Sequence, residues 1–182
     1  MTDRIVLLEN AARTIREMMA VRSLKEVHHR PLSASDGPPM TFQSKHALVV
    51  VKWMLPTTKV GVKDIRQLCE EMRKNDIQHV LLVLTNDLTS FAANEISTSS
   101  YRIERWLLSA LQINPTHFFL TPQHRLLSAK EKKGLKVTVS KLPKMLASDS
   151  IARFYGARRG AVFEITRKSP DGFAYLAYRC VA

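Results

Sequence analysis

Apolar residues near the start of the chain recur three or four positions apart. Between Arg4 and Arg22 they stand at Ile5, Leu8, Ala12, Ile15 and Met19. On a helix, this spacing forms one apolar face with arginines on the opposite side. We therefore predict an N-terminal helix that packs through this face.

Two later segments contain uninterrupted apolar runs, ALVVV before Lys52 and VLLVL before Thr85, which are typical of strands buried on both faces of a sheet. The segments are His46–Leu55 and Ile77–Thr85. The intervening residues 57–76 have helical spacing, and we expect Cys69 to be a buried thiol beside their apolar face. That face consists of Ile65, Leu68 and Met72. A strand, a helix and a strand over about 40 residues predict a parallel βαβ unit.

A short helix and a further strand are predicted after the βαβ unit. The helix is SFAANEIS, residues 90–97, and either Asp87 or Thr89 can cap its N-terminus. The strand is YRIERWLL, residues 101–108, in which apolar and polar residues alternate.

A proline-rich segment lies ahead of the first apolar strand. Its thirteen residues, His28–Met40, contain three prolines and a glycine, which predicts a loop. The adjacent His28 and His29 have no cysteine or acid at ligand spacing. Solvated histidines are therefore the expected state, and we predict no metal site.

The dipeptide Asn114-Pro115 interrupts these patterns, and we place a domain boundary there, between residues 1–114 and 115–182. The predicted elements of the second part are a short strand within 116–127, a basic helix ended by Gly134, a polar connector over 140–150, and strands Ala161–Arg167 and Phe173–Val181. The turn sequence KSPDG between the last two strands predicts a hairpin.

The charge is distributed unevenly along the chain. The net charge is +12, and residues 111–182 hold 13 Lys/Arg against 4 Asp/Glu, whereas residues 1–110 hold 15 against 12. Such a basic surface attracts nucleic acid or an acidic protein face. No apolar run approaches membrane-spanning length, and an acid follows the N-terminus too closely for a secretory signal. Two cysteines are too few for a disulfide framework or a cysteine-rich zinc site, so we expect a reducing compartment.

The sequence lacks the residues of a metal-dependent nuclease, the enzyme class that its first strands would suit best. Such enzymes hold a cation with an acid two positions before a lysine. Lys52 is present, but the residue two positions earlier is Val50, and Asp64 is expected to stabilise a helix N-terminus. Phosphate-binding glycine motifs are absent as well, because GARRG, residues 156–160, precedes a strand and not a helix. We therefore predict no catalytic residue and no cofactor.

The segment Lys130–Lys144 contains six lysines, one acid and no aromatic residue. Charge without base-stacking rings favours attraction to phosphates or to an acidic protein over sequence reading. A free-standing basic nucleic-acid-binding module is the alternative function that this composition leaves open.

Several segments resemble a known family. LTPQH (120–124), KLPKM (141–145), the run Asp149–Arg167 and the final YRCV (178–181) are similar to the assembly domain of the fifth common subunit of eukaryotic nuclear RNA polymerases, a domain that has a counterpart in archaeal RNA polymerase. KVGVKDIRQLCEEMRKNDIQHVLLVL (59–84) is similar to a strand–helix–strand unit of the same eukaryotic protein.

This resemblance implies an α/β N-terminal jaw domain over 1–114, with a nuclease-like topology but no active site, and a small α+β C-terminal assembly domain over 115–182. It implies a non-catalytic subunit of a nuclear DNA-dependent RNA polymerase. The expected partners are the largest subunit, other subunits and downstream duplex DNA, with no membrane contact and no homo-oligomer.

The chain departs from the family pattern in three places. The usual Asp-Pro is Asp149-Ser150, and the helix around Glu131 is shorter. The jaw loop that the family associates with DNA, Thr-Pro-Ser-Ala, aligns with Thr89–Ala92 and has lost its proline. The DNA-proximal candidates are Thr89, Ser90 and Phe91. These departures and the high basic charge indicate a divergent or polymerase-class-specific member.

We predict that the two glycines Gly156 and Gly160 form a compact turn from which arginines project toward a partner protein. The expected docking residues are Arg153, Tyr155, Gly156, Arg158, Arg159, Gly160, Arg167, Tyr178 and Arg179. The aromatic side chains of this region are expected to pack in the core or at its edge and not to stack on bases.

Overall fold

Two separate sheets organise the protein. The computed structural model describes residues 2–28, 32, 36–45 and 47–182. The chain divides into two compact units, Met1–Ile113 and Asn114–Ala182. Over the described residues, the first unit has a five-stranded sheet and the second a four-stranded sheet. The fold is therefore mixed, with helices and a sheet in each unit.

The first unit alternates helices and strands. Its elements are α1 Thr2–Val21, β1 Lys25–Glu26, β2 Met40–Gln43, β3 Leu48–Met54, α2 Val62–Lys74, β4 His79–Leu84, α3 Ser90–Thr98, β5 Arg102–Leu107 and a 3₁₀ helix, Leu108–Leu111. The strand order is β1-β2-β3-β4-β5, in which β1, β2 and β3 are antiparallel and β3, β4 and β5 are parallel. The predicted parallel βαβ unit is confirmed.

The core of the first unit lies around its parallel strands. All six residues of β4 are buried, and the buried face of α2 is formed by Ile65, Leu68 and Met72, as predicted. Cys69 on α2 is half-buried, and burial raises the pKa of its thiol. Because strands covered on both faces need apolar residues on both, most of β3 and β4 appears in the sequence as apolar runs.

The indole ring of Trp53 holds the residues that lead into β2. Trp53 is fully buried on β3, and its Nε1 donates a hydrogen bond to the Pro38 carbonyl oxygen at 2.8 Å. A Cβ at Gly37 would lie only 2.6 Å from the indole ring, so this close approach requires glycine.

The N-terminal helix α1 is confirmed, but its predicted apolar face was wrong at Ile5. Ile5 is 58% exposed and Leu8 is half-buried, whereas Ala12, Ile15 and Met19 are buried. The packed stripe begins only at Ala11. The apolar spacing therefore extends toward the N-terminus, beyond the residues that pack against the core.

The predicted loop over His28–Met40 lies partly outside the described residues, and His29 is among those outside. Residues 36–39 are irregular, but Met40 already belongs to β2. The structure also contains β1, which was not predicted, because a two-residue strand is defined by its partner and not by a pattern of its own. That partner is β2, with Lys25 opposite Gln43.

The second unit is built on a hairpin. Its elements are a 3₁₀ helix Pro115–His117, β6 Gln123–Leu126, α4 Ala129–Gly134, a 3₁₀ helix Val139–Lys141, β7 Lys144–Met145, α5 Ser150–Phe154, β8 Val162–Lys168 and β9 Ala174–Val181. The strand order is β6-β8-β9-β7, in which only β7 runs parallel to its neighbour. The predicted short strand, the basic helix ending at Gly134 and the β8–β9 hairpin are confirmed.

The segment predicted as a polar connector, residues 140–150, is mostly exposed but contains a short strand that was not predicted. Lys144–Met145 forms β7, and Leu142 and Met145 are buried. The five-residue helix α5 was not predicted either. Both elements are too short to show a periodic pattern of apolar residues. They are stabilised by contacts with neighbouring parts of the second unit.

The two faces of the second sheet are covered by different elements. One face, which we call the α5 face, packs on α5 in a cluster of Met145, Ile151, Ala152, Phe163, Ile165 and Val181. The opposite face forms a smaller cluster of Leu127, Leu142, Val162 and Cys180. This division decides where each predicted docking residue lies.

Candidate docking surface

Helix α5 ends at Phe154, and the hydrogen bonds that terminate it require a left-handed residue at Gly156. Asp149 begins the helix by accepting a hydrogen bond from the Ile151 N–H at 2.9 Å. At the C-terminal end, the Gly156 N–H donates to the Arg153 carbonyl and the Ala157 N–H donates to the Ala152 carbonyl, both at 2.9 Å. These paired bonds form a Schellman motif, and φ at Gly156 is +64°.

A second glycine turns the chain into β8. Gly160 has a φ of +82°, and its N–H donates to the Val181 carbonyl at 2.9 Å. The predicted glycine-framed turn is therefore confirmed in its backbone, and we call Gly156–Gly160 the basic turn. Arg158 and Arg159 are exposed on it, while Arg153 on α5 is half-buried.

Tyr155 holds α5 against the sheet. Its hydroxyl donates to the His124 carbonyl at 2.8 Å, and its ring meets that of Phe163 edge to face, with centroids 5.3 Å apart. Burial raises the pKa of this hydroxyl. Tyr155 therefore has a structural role, because it anchors the residue that directly precedes the basic turn to the sheet.

The strands divide the remaining predicted docking residues between two faces. Arg167 and Arg179 lie on the α5 face, because they stand in register opposite Tyr175 and Phe163. Tyr178 stands opposite Glu164 and lies on the opposite face. The structure therefore brings the arginines to the side of the basic turn but does not bring Tyr178 there.

A charged network that the sequence did not reveal occupies the opposite face. Arg125 on β6 donates to the carboxylates of both Glu164 and Glu131, and the Tyr178 hydroxyl donates to Glu164 Oε2 at 3.2 Å. Ser128 and Glu131 also cap α4 reciprocally. The hydrogen bonds from Arg125 and then Ser128 lower the pKa of Glu131 to about 2. The capping spacing Ser-x-x-Glu was the only local signal for this network.

In the first unit, the positions weighed for nuclease chemistry have structural partners. Val50 is buried in the core, and the ammonium group of Lys52 lies 3.4 Å from Glu71 Oε2 with both side chains largely buried. Asp64 accepts a hydrogen bond from the Gly61 N–H at 2.9 Å and caps α2. Within the described ranges, no three His, Cys, Asp or Glu side chains come together as a metal ion would require.

A buried ionic cluster around Glu104 was also missed from the sequence. The Glu104 carboxylate on β5 lies 2.9 Å from Arg22 Nη1 and 3.0 Å from His79 Nε2, and it contacts Arg102 as well. Burial alone would raise the pKa of Glu104. The contact with His79 and the charges of Arg22 and Arg102 outweigh burial and hold this pKa far below its usual range.

The DNA-proximal candidates lie at the start of α3. Thr89 caps the helix, with its hydroxyl accepting from the Ala92 N–H at 3.3 Å. Ser90 is exposed, and Phe91 is 77% exposed in the first turn. These residues are close together, and Phe91 presents an apolar ring without covering any core.

No helix in the described part of the chain combines the length and the apolar composition that a bilayer span needs.

The comparisons with known proteins place most of the chain in one family. Residues 113–181 match the family described as RNA polymerase Rpb5, C-terminal domain. The chain is 34% identical over 134 residues to the subunit rpabc1 of DNA-directed RNA polymerases I, II and III of Dictyostelium discoideum, covering 69% of this chain and 68% of that protein. It is also 34% identical over 130 residues to subunit RPABC1 of Caenorhabditis briggsae, covering 68% of this chain.

A relative from a different set of polymerases matches more weakly. Subunit 5B of RNA polymerases IV and V of Arabidopsis thaliana is 29% identical over 115 residues, covering 61% of this chain and 53% of that protein. The chain spans 62% of the length of the Caenorhabditis briggsae protein. The matched region in each case exceeds the second unit alone, whose length is 69 residues. The chain therefore belongs to the Rpb5 family of RNA polymerase subunits.

Proposed function

We propose that this chain is a non-catalytic subunit of a multisubunit, DNA-dependent RNA polymerase and that it acts in the nucleus. The observation that carries the proposal is the match over residues 113–181, which coincides with the second compact unit, Asn114–Ala182. A whole folded unit that corresponds to a family of polymerase subunits supports a role in that assembly.

The second unit is proposed to dock on the largest subunit through the basic turn. Arg158 and Arg159 are exposed, and α5 and Tyr155 support the turn on which they lie. Guanidinium groups make paired hydrogen bonds with carboxylates, which suits them to a polar protein interface. The surplus of nine positive charges in the second unit favours an acidic surface on the partner.

The first unit is proposed to form part of the polymerase jaw beside downstream duplex DNA, with a nuclease-like topology and no active site. Its parallel β3–α2–β4 core supports that assignment, and the apolar Val50 and the paired Lys52 argue against a cutting role. Thr89, Ser90 and Phe91 are the residues proposed to lie nearest the DNA.

The docking role is tested by co-purification of the largest subunit with a tagged Arg153→Ala/Arg159→Ala variant. If each arginine becomes buried in a polar contact on assembly, we expect association to weaken by about 2 kcal/mol or more, roughly thirtyfold. The matched control is Lys130→Ala/Lys133→Ala on α4, which removes two exposed positive charges away from the turn. Undiminished recovery of the arginine variant at high salt would contradict docking through the turn.

A separate measurement distinguishes a polymerase subunit from a free-standing nucleic-acid-binding module. The isolated full-length chain is titrated with duplex DNA in a gel-shift assay at physiological salt. A subunit that meets DNA only within the complex is expected to bind weakly and without sequence preference. Tight binding by the isolated chain would favour the free-standing module.

A further inference from the structure

The outer edge of β9 is uncovered along most of its length. Among the described residues, β7 pairs only with Cys180 and Val181, and no other strand follows it along this side. The Cys180 N–H donates to the Pro143 carbonyl at 2.9 Å. The backbone N–H and C=O groups of Cys180 therefore point away from β8, toward the outer edge. Because these groups alternate along a strand, those of Ala174, Leu176 and Tyr178 also point to the free edge.

This edge lacks the charged side chains that normally block pairing with another chain. Edge strands of stable proteins are protected by charges, prolines or bulges. In the first unit, β5 is an edge strand with three charged residues in its RIERWL sequence, and β6 at the other side of the second sheet contains Arg125. In β9, the five residues Ala174–Tyr178 contain no charge at all.

The side chains along the free edge are apolar and exposed. Phe173 is 76%, Leu176 55% and Tyr175 48% exposed. Leu176 lies on the opposite face, whereas Arg179 lies on the α5 face together with Arg167, whose Nε is buried and has no hydrogen-bond partner among the described residues. A strand lying beside β9 would therefore meet an apolar side chain on one face and positive charge on the other.

We propose that an extended segment of the partner protein pairs with the free edge of β9 and adds a fifth strand to the second sheet. This inference rests on the proposed function, in which the partner is the largest subunit. Main-chain hydrogen bonds to Leu176 and Tyr178 provide the pairing, and side chains select the segment. The segment carries an apolar residue facing Leu176 and, at its end nearest β7, a carboxylate within reach of the Arg179 guanidinium, which also donates to the Lys144 carbonyl.

Residue-resolved amide hydrogen exchange on the full-length chain, free and in its complex with the largest subunit, tests the pairing. We expect the amides of Leu176 and Tyr178 to exchange about tenfold slower or more in the complex, because their outward N–H groups become bonded. The amides of Tyr175 and Ala177 point toward β8 and are expected to be protected in both states. They serve as the internal control.

A proline at the edge tests the same contact by mutation. Leu176→Pro removes the outward N–H without removing a hydrogen bond to β8, and edge positions tolerate proline. The matched control is Leu176→Ala, which shortens the side chain and keeps the N–H. We expect the proline variant to bind the largest subunit at least about tenfold more weakly than the alanine variant, with an unchanged melting temperature.

The possible results separate this inference from the proposal on which it rests. A stable complex in which the Leu176 and Tyr178 amides still exchange rapidly overturns the strand pairing alone, whether or not the proline variant folds. Failure of the wild-type chain to associate with the largest subunit overturns the proposed function and the pairing together. Slow exchange at both outward amides, with weaker binding of the folded proline variant, supports the pairing.

Discussion

The two units of this chain handle their charges in opposite ways. The first unit has nearly balanced charge, and two of its acids, Glu104 and Glu71, form ion pairs that are largely buried. The second unit has 13 Lys/Arg against 4 Asp/Glu, and two of these acids, Glu131 and Glu164, pair with the exposed Arg125. Charges in the first unit thus hold the fold together, whereas the excess in the second unit has no acidic counterpart within its own sequence.

This difference indicates that the charged residues of the two units have different roles. Buried ion pairs are costly to break because they leave an uncompensated charge. Exposed charges contribute little to folding but strongly affect association with an oppositely charged surface. We therefore expect substitutions of the buried charged residues to destabilise the first unit, and substitutions of exposed charges in the second to weaken binding while leaving the fold intact.

The largest effect is expected for Glu104→Ala. The substitution leaves Arg22 and His79 without their shared carboxylate in a buried site, and we expect it to lower the free energy of unfolding by about 3–5 kcal/mol. Urea denaturation followed by circular dichroism measures the loss. A matched control is Glu26→Ala, which breaks the exposed pair with Arg16 and is expected to cost about 1 kcal/mol or less. Equal losses in the two variants would erase the contrast between buried and exposed pairs.

A smaller, pH-dependent effect is expected from the same carboxylate. The pKa of Glu104 in the folded protein lies far below its ordinary value of 4.5. Its ionised form therefore stabilises the fold fully above pH 4.5, and this contribution decreases as the pH falls toward the folded-state pKa. Comparing unfolding of the wild type and Glu104→Gln as the pH is lowered isolates it. The gap in stability between them should narrow with acid, and a constant gap would exclude this linkage.

The smallest effect is expected for Arg125→Ala in the second unit. Its side chain is 53% exposed while pairing with Glu131 and Glu164. Solvent and salt screen such contacts, so we expect a small shift in the urea midpoint that vanishes at high salt. A large loss that persists in salt would mean that the network on the opposite face holds the second unit as firmly as the Glu104 cluster holds the first.

The elements that sequence reasoning recovered are those with a long local pattern. The segments that became β3 and β4 are apolar except for Lys52 and His79, and the Pro-Asp-Gly turn between β8 and β9 has residues suited to its geometry, including a φ of +85° at Gly172. The two-residue strands β1 and β7 and the five-residue helix α5 have no such pattern. They depend on pairing and burial that only the folded chain provides.

The candidate site was predictable to a similar degree. Gly156 and Gly160 were identified because a left-handed backbone favours glycine, and glycines are visible in the sequence. The separation of Tyr178 from Arg167 and Arg179 was not, since it depends on register and on which face each residue occupies. The Glu104 cluster was missed because Arg22 and Glu104 are 82 positions apart in the sequence.

The buried indole of Trp53 gives the protein a built-in optical reporter. The chain contains two tryptophans, Trp53 and Trp106, and both are buried within the first unit. Ultraviolet excitation selective for indole therefore follows the melting of residues 1–113 and does not detect that of residues 114–182. Since Gly37 and Pro38 lie against the Trp53 ring, a shift in its emission also reports whether that part of the chain detaches before the sheet itself unfolds.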